Sequence, residues 1–303
     1  MDSLAQLEAL CERLYNSQDT AERAHAENTL KRFLNADFIS QCQYILDNAL
    51  TPYALMLASS TLLKQVTERS LSLQLRLDIR NYLINYLATR GPELQSFVVA
   101  SLIQLLCRIT KFGWVDDERF RDVVQESTSF LSQATPDHYA IGLKILNQIV
   151  TEMNQVNQGL PSTNHRKVAS SFRDLALFQI FQISLTSLHQ LKNDGVSRLQ
   201  ELAMSLALKC LSFDFVGTSI DESSEEVGTV QIPASWRSIL EEPPTLQIFF
   251  DYYAITTPPL SKEVIVAYAF VEFLVLINLM CLCMNTIVLP FLVGTEEIFK
   301  HFT

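Results

Sequence analysis

The chain has 303 residues, of which 48% are hydrophobic and only 8 are glycine, and its formal net charge is −10. A β-sheet protein of this length usually needs more glycine for its tight turns, so scarce glycine favours helices. An acidic chain repels phosphate backbones, which argues against general nucleic-acid binding and suits basic protein partners.

Hydrophobic residues at helical spacing predict four helices at the start of the chain. The first runs from about Ser3 to Tyr15, and the third runs from about Phe38 to Asn48. Asp19 and, three residues later, Glu22 form a capping box at the start of the second helix. The fourth begins at Thr51-Pro52, because threonine caps free amides and proline fits the first turn of a helix.

The same spacing continues to about residue 213, with one loose stretch at residues 157–164. The further predicted helices are, in chain order, about Ser72 to Thr89, a sixth that starts at Gly91-Pro92, Asp116 to Ser132, one from Thr135-Pro136 to about Val156, and two long helices over about His165 to Leu191 and Val196 to Phe213.

These helices form pairs that repeat along the chain. The second helix of each pair starts near residues 20, 52, 92, 136 and 196, so the first three intervals are 32, 40 and 44 residues, within or near the range of HEAT-type repeats. One pair cannot bury its apolar face alone, so stacked pairs share a continuous core. We therefore predict an all-α fold, an α-solenoid of stacked HEAT/ARM-like helix pairs in a right-handed superhelix. A single helical bundle is the alternative.

Composition divides the chain into four segments. Residues 1–213 hold about five helix pairs, and residues 214–232 form an acidic, serine-rich loop. That loop is either a solvated insertion, a contact for a basic partner or a phosphorylation site. Residues 233–263 return to helical character, and residues 264–303 form a hydrophobic tail.

The sequence carries no recognised catalytic or metal-binding motif. Its eight glycines form no phosphate-binding loop, and its five histidines fit no zinc-site spacing. Four cysteines lie singly in apolar helical patterns and are predicted to be buried thiols, while Cys281 and Cys283 lack a second pair of ligands. We expect no enzymatic activity, no cofactor and no metal.

The hydrophobic tail has two interpretations. Val264 to Met284 meets the length of about 20 apolar residues that a membrane-spanning helix needs, and Lys262 flanks it. Glu272 and Asn278 oppose this, because both are costly in lipid. The alternatives are a buried helix pair of a further repeat or the unrelated end of a shortened product.

Four groups of short stretches carry a specific resemblance. They are DIRNY at 78–82 with NYLATR at 85–90; LIQL at 102–105 with RITK at 108–111 and GW at 113–114; HRK at 165–167 with ASSFRD at 169–174; and FDF at 213–215 with GTS at 217–219, DESS at 221–224, VQIP at 230–233 and SWR at 235–237. From about Ser3 to Glu263 the chain resembles the amino-terminal portion of the exportin 7 branch of the importin-β superfamily.

This resemblance implies a function that the residues alone do not. Members of the family are long HEAT superhelices, several times longer than this chain, that carry proteins through nuclear pores. The resemblance therefore implies an exportin-like receptor that binds the small GTPase Ran in its GTP form, protein cargo and nucleoporins, and that is found in the nucleus, the cytoplasm and the nuclear pore. Ran and cargo would each favour the same superhelical curvature, so each would raise the affinity for the other.

Two other functions stay open at this stage. One is a membrane-anchored helical scaffold, with residues 264–284 as its anchor. The other is a truncated product without function.

Candidate Ran contacts follow from the resemblance and helical geometry together. In the resembled family, the second helices of the early pairs line the surface that faces Ran. The candidates, each predicted to point away from the buried stripe of its helix, are His25, Asn28 and Arg32 on the second helix, Lys64 and Glu68 on the fourth, and Gln104 and Lys111 on the sixth. An ordinary solvated face is the alternative for each residue.

Overall fold

A computed structural model describes residues 2–33, 38–133, 135–156, 160–193, 197–215, 233–258 and 260–267. All regular secondary structure in these ranges is helical, and no strand occurs in them, which confirms the all-α prediction. The chain divides into two compact units, Met1–Ala176 and Leu177–Thr303. The four segments inferred from composition stay a prediction.

The first unit is a series of packed helix pairs. Its helices are α1 Asp2–Asn16, α2 Thr20–Phe33, α3 Phe38–Asn48, α4 Pro52–Glu68, α5 Leu73–Arg90, α6 Ser96–Gly113, α7 Val123–Leu131, α8 Pro136–Asn154 and α9 Ser162–Phe172. The pairs α1/α2, α3/α4, α5/α6 and α7/α8 pack together, and the second helices stack in the order α4, α6, α8. Helix α1, the first helix of its pair, also packs against α4.

Hydrogen bonds between neighbouring pairs repeat with the period of the sequence pattern. Tyr86 donates from its hydroxyl to the carbonyl of Leu46, 40 residues earlier. The hydroxyls of Ser59 and Ser101, 42 residues apart, lie 2.6 Å from each other in the core. These separations agree with the predicted intervals of about 40 residues, because each pair rests on the one before it.

Two predicted caps differ from expectation. At α2, Asp19 accepts from the amide of Ala21 at 2.8 Å, but Glu22 accepts from the hydroxyl of Ser17 instead of closing the box. The Thr51 hydroxyl is buried and has no hydrogen-bond partner among the described residues, so the predicted threonine cap of α4 is wrong. Instead, the carboxylate of Glu8 on α1 accepts hydrogen bonds from the backbone amides of residues 50 and 51, with N–O distances of 2.6 and 2.9 Å.

Two connections also differ. Gly91–Glu93 forms a 3-10 turn, and α6 begins only at Ser96. Gly91 packs so closely against α8 that an added β-carbon would lie 2.7 Å from Ile141. The helix predicted from residue 116 begins as a 3-10 turn at Glu118–Asp122, and α7 follows it. Phe120 in that turn rests against Gly113, where an added β-carbon would lie 2.3 Å from its ring.

The long helix predicted from residue 165 is not a uniform α-helix. It begins at Ser162, continues as α9 to Phe172, and passes through a π-helical segment at Arg173–Leu177. A π turn adds one residue to the helix and changes which side chains face the core. Leu175 is accordingly left 58% exposed within an otherwise amphipathic run.

The second unit contains further packed helices. They are α10 Phe178–Leu191, α11 Ser197–Leu211, α12 Arg237–Leu240 and α13 Pro243–Ile255, with a 3-10 turn at Ala234–Trp236 and helical residues at 260–267. Helix α10 packs against α11 and α13. Trp236 is buried and stacks on Phe181, with ring centroids 5.2 Å apart. The described residues from 234 to 255 are therefore largely helical.

Two predicted features lie mostly outside the described residues. The acidic loop is described only to residue 215, and the tail only to residue 267. The candidate membrane segment at 264–284 therefore stays a prediction. Among the described helices, only α6 has the length and hydropathy to cross a bilayer, and 67% of it is buried within the protein, as in the core helix of a soluble fold.

Candidate partner-binding face

Exposed polar side chains line adjacent parts of α4 and α6. Lys64 and Glu68 on α4 and Gln104 on α6 are all exposed, as the helical pattern predicts. The buried stripes, which include Leu62 and Leu105, face the core. We name Lys64, Glu68 and Gln104 the α4–α6 face. Because α4 and α6 pack directly against each other, this face is carried by two helices in fixed contact.

The candidates on α2 have a different setting. His25 and Asn28 are exposed, and Arg32 belongs to the same helix, although its side chain lies outside the described part of the structure. The described packing partner of α2 is α1, whereas α1 is the helix that packs against α4. His25 and Asn28 are therefore solvent-facing, but they do not belong to the α4–α6 face.

Lys111 is buried, so its predicted exposure is wrong. Its side chain is 0% exposed, and its Nζ donates to the carbonyl of Glu152 at 2.7 Å and to that of Gln155. It thereby caps the carboxyl-terminal end of α8, where free carbonyls favour a cation. Burial lowers the pKa of Lys111 to about 8, while the Glu152 carboxylate opposes this and Arg108 adds to it.

A helical wheel with a single buried stripe does not predict the exposure of α6 residues correctly, because this helix packs against α4, α5 and α8 together. Contacts on three sides bury a wider sector than a single apolar stripe. Position 111 falls inside that sector, whereas position 104 falls outside it.

Sequence reasoning also missed a buried charged cluster next to the face. Arg108 on α6 donates from Nη1 to the hydroxyl of Thr67 on α4 at 3.0 Å, and from Nε to the Glu152 carboxylate on α8. The side chains of Arg108 and Glu152 are 13% and 2% exposed. We name Thr67, Arg108, Lys111 and Glu152 the polar clamp. Its only sequence signal is the presence of charged residues within apolar helical patterns, and such residues are ordinarily exposed to solvent.

A cavity of about 320 Å³ lies where α4 and α6 end. Glu68 of the α4–α6 face and Thr67 of the polar clamp both line it. On its other side, Arg76 donates to the carbonyl of Phe112 at 2.7 Å and to the Asp116 carboxylate at 2.8 Å. Paired charges of both signs thus line the cavity, so it shows no net preference for a cation or an anion.

The described residues contain no group of three or more His, Cys, Asp or Glu side chains that could hold a metal ion. The four described cysteines are Cys11, Cys42, Cys107 and Cys210. All four are buried free thiols, as predicted, and burial raises the pKa of Cys11 and of Cys42 to about 12. Such thiols are poor nucleophiles, because the reactive thiolate form is suppressed.

Known proteins match this chain closely. The importin-beta N-terminal domain family matches residues 26–89, from within α2 to the last turn of α5. Exportin-7-A from Xenopus laevis is 46% identical over 280 residues, which is 88% of this chain and 26% of that protein. Ran-binding protein 17 from Homo sapiens is 40% identical over 273 residues, which is 86% of this chain and 25% of that protein.

The chain thus spans about a quarter of the length of these relatives. Its helix pairs, with hydrogen bonds repeating about every 40 residues, agree with the HEAT-type helical solenoid that the domain family indicates. The handedness of the solenoid stays a prediction. The predicted relationship is confirmed: this chain is a relative of the exportin 7 branch of the importin-β superfamily and corresponds to its amino-terminal portion.

Proposed function

We propose that the chain is part of a nuclear export receptor that binds Ran in its GTP form together with protein cargo. The observation that carries this is the match to exportin-7 and to proteins named as Ran-binding, over more than four-fifths of the chain. The matching domain family covers α3 and α4 entirely, and α4 carries Lys64 and Glu68, two of the three residues of the α4–α6 face.

We place the GTPase contact on the α4–α6 face, with His25, Asn28 and Arg32 of α2 as further candidates. Lys64, Glu68 and Gln104 project from two packed helices, so the backbone that carries them is already ordered before a partner binds. We no longer propose Lys111 as a direct contact, because its ammonium is buried and donates a hydrogen bond to a carbonyl of α8.

Binding of Ran and cargo is proposed to be linked. Each partner favours the same arrangement of the helix pairs, so each raises the affinity for the other, and GTP hydrolysis on Ran releases both. Nucleoporins are proposed as further partners, and the nucleus, cytoplasm and nuclear pore as locations. We retain the expectation that the chain catalyses no reaction, since its relatives are named as exportins and Ran-binding proteins.

The test is a pull-down of the 303-residue chain with Ran locked in its GTP form, with the GDP form as control. We expect retention of the GTP form alone. The variant Lys64→Glu with Gln104→Glu should abolish retention if Ran meets the α4–α6 face. A control with the same change in net charge alters two exposed positions on the first helices of their pairs, Arg13→Glu on α1 and Asn85→Glu on α5, and should retain wild-type binding.

Two outcomes would count against the proposal. Equal retention of the GTP and GDP forms, or of neither, would contradict Ran-dependent export. Normal binding by the Lys64 and Gln104 variant would show that Ran does not contact the α4–α6 face.

None of the comparisons supports the membrane-anchored alternative. Carbonate extraction still tests it directly, since full release of the chain from membranes excludes an anchor at residues 264–284.

A further inference from the structure

The polar clamp joins three consecutive second helices. Arg108 lies on α6 and reaches Thr67 on α4 in one direction and Glu152 on α8 in the other. Lys111, one turn further along α6, donates to the last carbonyls of α8. The connected side chains therefore tie the carboxyl-terminal ends of α4, α6 and α8 to one another.

Such a cluster is poorly explained as a source of stability. Removing a carboxylate and two cations from water costs several kcal/mol per ion, and well-packed apolar residues often serve as well or better. What charged hydrogen bonds add is direction, because a guanidinium bonds its partners only at fixed angles and short distances. The clamp is therefore suited to holding the three helices at one spacing.

The clamp lies directly beside the α4–α6 face. Gln104 precedes Arg108 by four residues on α6, and Lys64 precedes Thr67 by three residues on α4, so each pair occupies neighbouring turns on one side of its helix. A change in the spacing of α4 and α6 at the clamp moves Lys64 relative to Gln104.

We propose that Arg108 is a positioning residue, which sets the spacing of α4, α6 and α8 through the polar clamp and thereby the affinity of the α4–α6 face for its GTPase partner. Arg108 need not touch the partner. This inference rests on the proposed function, so its test also measures the helices themselves.

The experiment uses the full 303-residue chain and the double variant Arg108→Met with Glu152→Leu, which replaces the charged pair by apolar side chains. We expect the Tm to fall much less than in the single variant Glu152→Ala, because the desolvation cost of the pair disappears with its attraction, and Lys111 alone loses the nearby carboxylate. We expect affinity for GTP-locked Ran to fall roughly tenfold, as for other residues that act through a network. Amide hydrogen exchange at residues 148–156 should rise.

Two further variants sharpen the test. Arg108→Lys keeps the positive charge but lacks the two separate nitrogens, Nη1 and Nε, that reach Thr67 and Glu152, so it should also weaken binding. A purely electrostatic role predicts wild-type affinity. If the double variant unfolds, this single variant decides the question. As a matched control, Lys192→Met with Asp251→Leu removes the cross-helix ion pair of the second unit and should leave affinity unchanged.

The outcomes separate the two proposals. If wild-type protein does not bind GTP-locked Ran, the proposed function fails, and the inference that Arg108 sets partner affinity falls with it. The exchange data then report on helix spacing alone. If wild-type protein binds and the double variant binds equally well, Arg108 does not position the face. Weaker binding with unchanged exchange at residues 148–156 also overturns the inference.

Discussion

The two ends of α4 and α6 are joined to their neighbours by different chemistry. At their amino-terminal ends, Tyr53 stacks between Tyr15 of α1 and Phe97 of α6, with ring centroids 5.1 and 6.0 Å apart. This aromatic ladder is partly open to solvent, since Tyr15 and Phe97 are 45% and 41% exposed. At their carboxyl-terminal ends, the polar clamp makes the connection with charges that are almost fully buried.

The difference shows that one stack of helices combines contacts that tolerate substitution with contacts that do not. Stacked rings contribute area and dispersion, and each ring that is lost removes only its own share. A buried charge depends on its partners, so the loss of one member leaves the others unpaired in an apolar environment. Substitutions in the ladder should therefore have graded effects, whereas single substitutions in the clamp should be severe.

The largest effect is expected for Glu152→Ala. This change leaves Arg108 and Lys111 buried without their carboxylate, and breaking a buried pair in this way costs about 3–5 kcal/mol. Urea denaturation followed by circular dichroism measures the loss in the free energy of unfolding. Adding Arg108→Met should recover part of it. A loss below about 1 kcal/mol would mean that water reaches these cations in the folded state.

The next effect concerns pH and Lys111. The pKa of Lys111 falls from 10.5 to about 8 on folding, because burial disfavours its charged form. Between these two values the unfolded chain keeps the proton and the folded chain releases it, so the free energy of unfolding rises with pH in this window. Relative to Lys111→Met, we expect the free energy of unfolding to rise by about 2 kcal/mol from pH 8 to pH 10. The full pKa shift of Lys111 could contribute at most about 3 kcal/mol.

This comparison with Lys111→Met cancels the titration of every other group. Urea denaturation at a series of pH values measures both proteins. No relative rise between pH 8 and pH 10 would show that the Glu152 charge and the carbonyls of α8 offset the effect of burial on the pKa of Lys111.

In the aromatic ladder, Tyr53→Ala should cost about 1.5 kcal/mol of unfolding free energy. It removes the ring that contacts both Tyr15 and Phe97, and each aromatic pair contributes about 0.5–1.5 kcal/mol beyond its area. Tyr44→Ala is the matched control, since Tyr44 is 52% exposed. We expect the control to change stability by less than about 0.5 kcal/mol. Equal effects of both changes would show that the ladder adds nothing.

The smallest effect is expected for Tyr53→Phe. This change keeps the stacked ring and removes only the hydroxyl, which donates to Asn16 at 2.8 Å in an exposed position. Water can replace that bond, so the expected loss is about 0.5 kcal/mol. The same denaturation assay measures it. A loss as large as that of Tyr53→Ala would mean that the hydroxyl, and not the ring, connects α1 to α4.

Helix positions were predictable where the apolar pattern is regular and a strong end signal is present. Helix α3 matches its predicted limits, and α8 begins at Pro136 with Thr135 as its cap, which accepts from the amide of His138. The close packing of Gly91, in the 3-10 turn Gly91–Glu93, against Ile141 was not predictable, because Ile141 lies 50 residues away. Local pattern records no such distant contact.

The candidate face was predictable in part, for a related reason. Lys64 and Lys111 look alike on a helical wheel, since each lies away from a buried leucine. Lys64 is exposed as expected, but Lys111 is buried because α8 covers that side of α6. The burial of Arg108 and Glu152 could not be predicted, because an isolated charge in a helical pattern is normally solvated.

The sequence by itself determined the helical class, the repeat of about 40 residues and the relationship to the exportin 7 branch. These depend on local spacing and on residue identity, both of which are present in the chain as written. Only the tertiary structure decided which charges are buried and which are exposed. Burial depends on the neighbours that cover each side of a helix, and those neighbours come from other repeats.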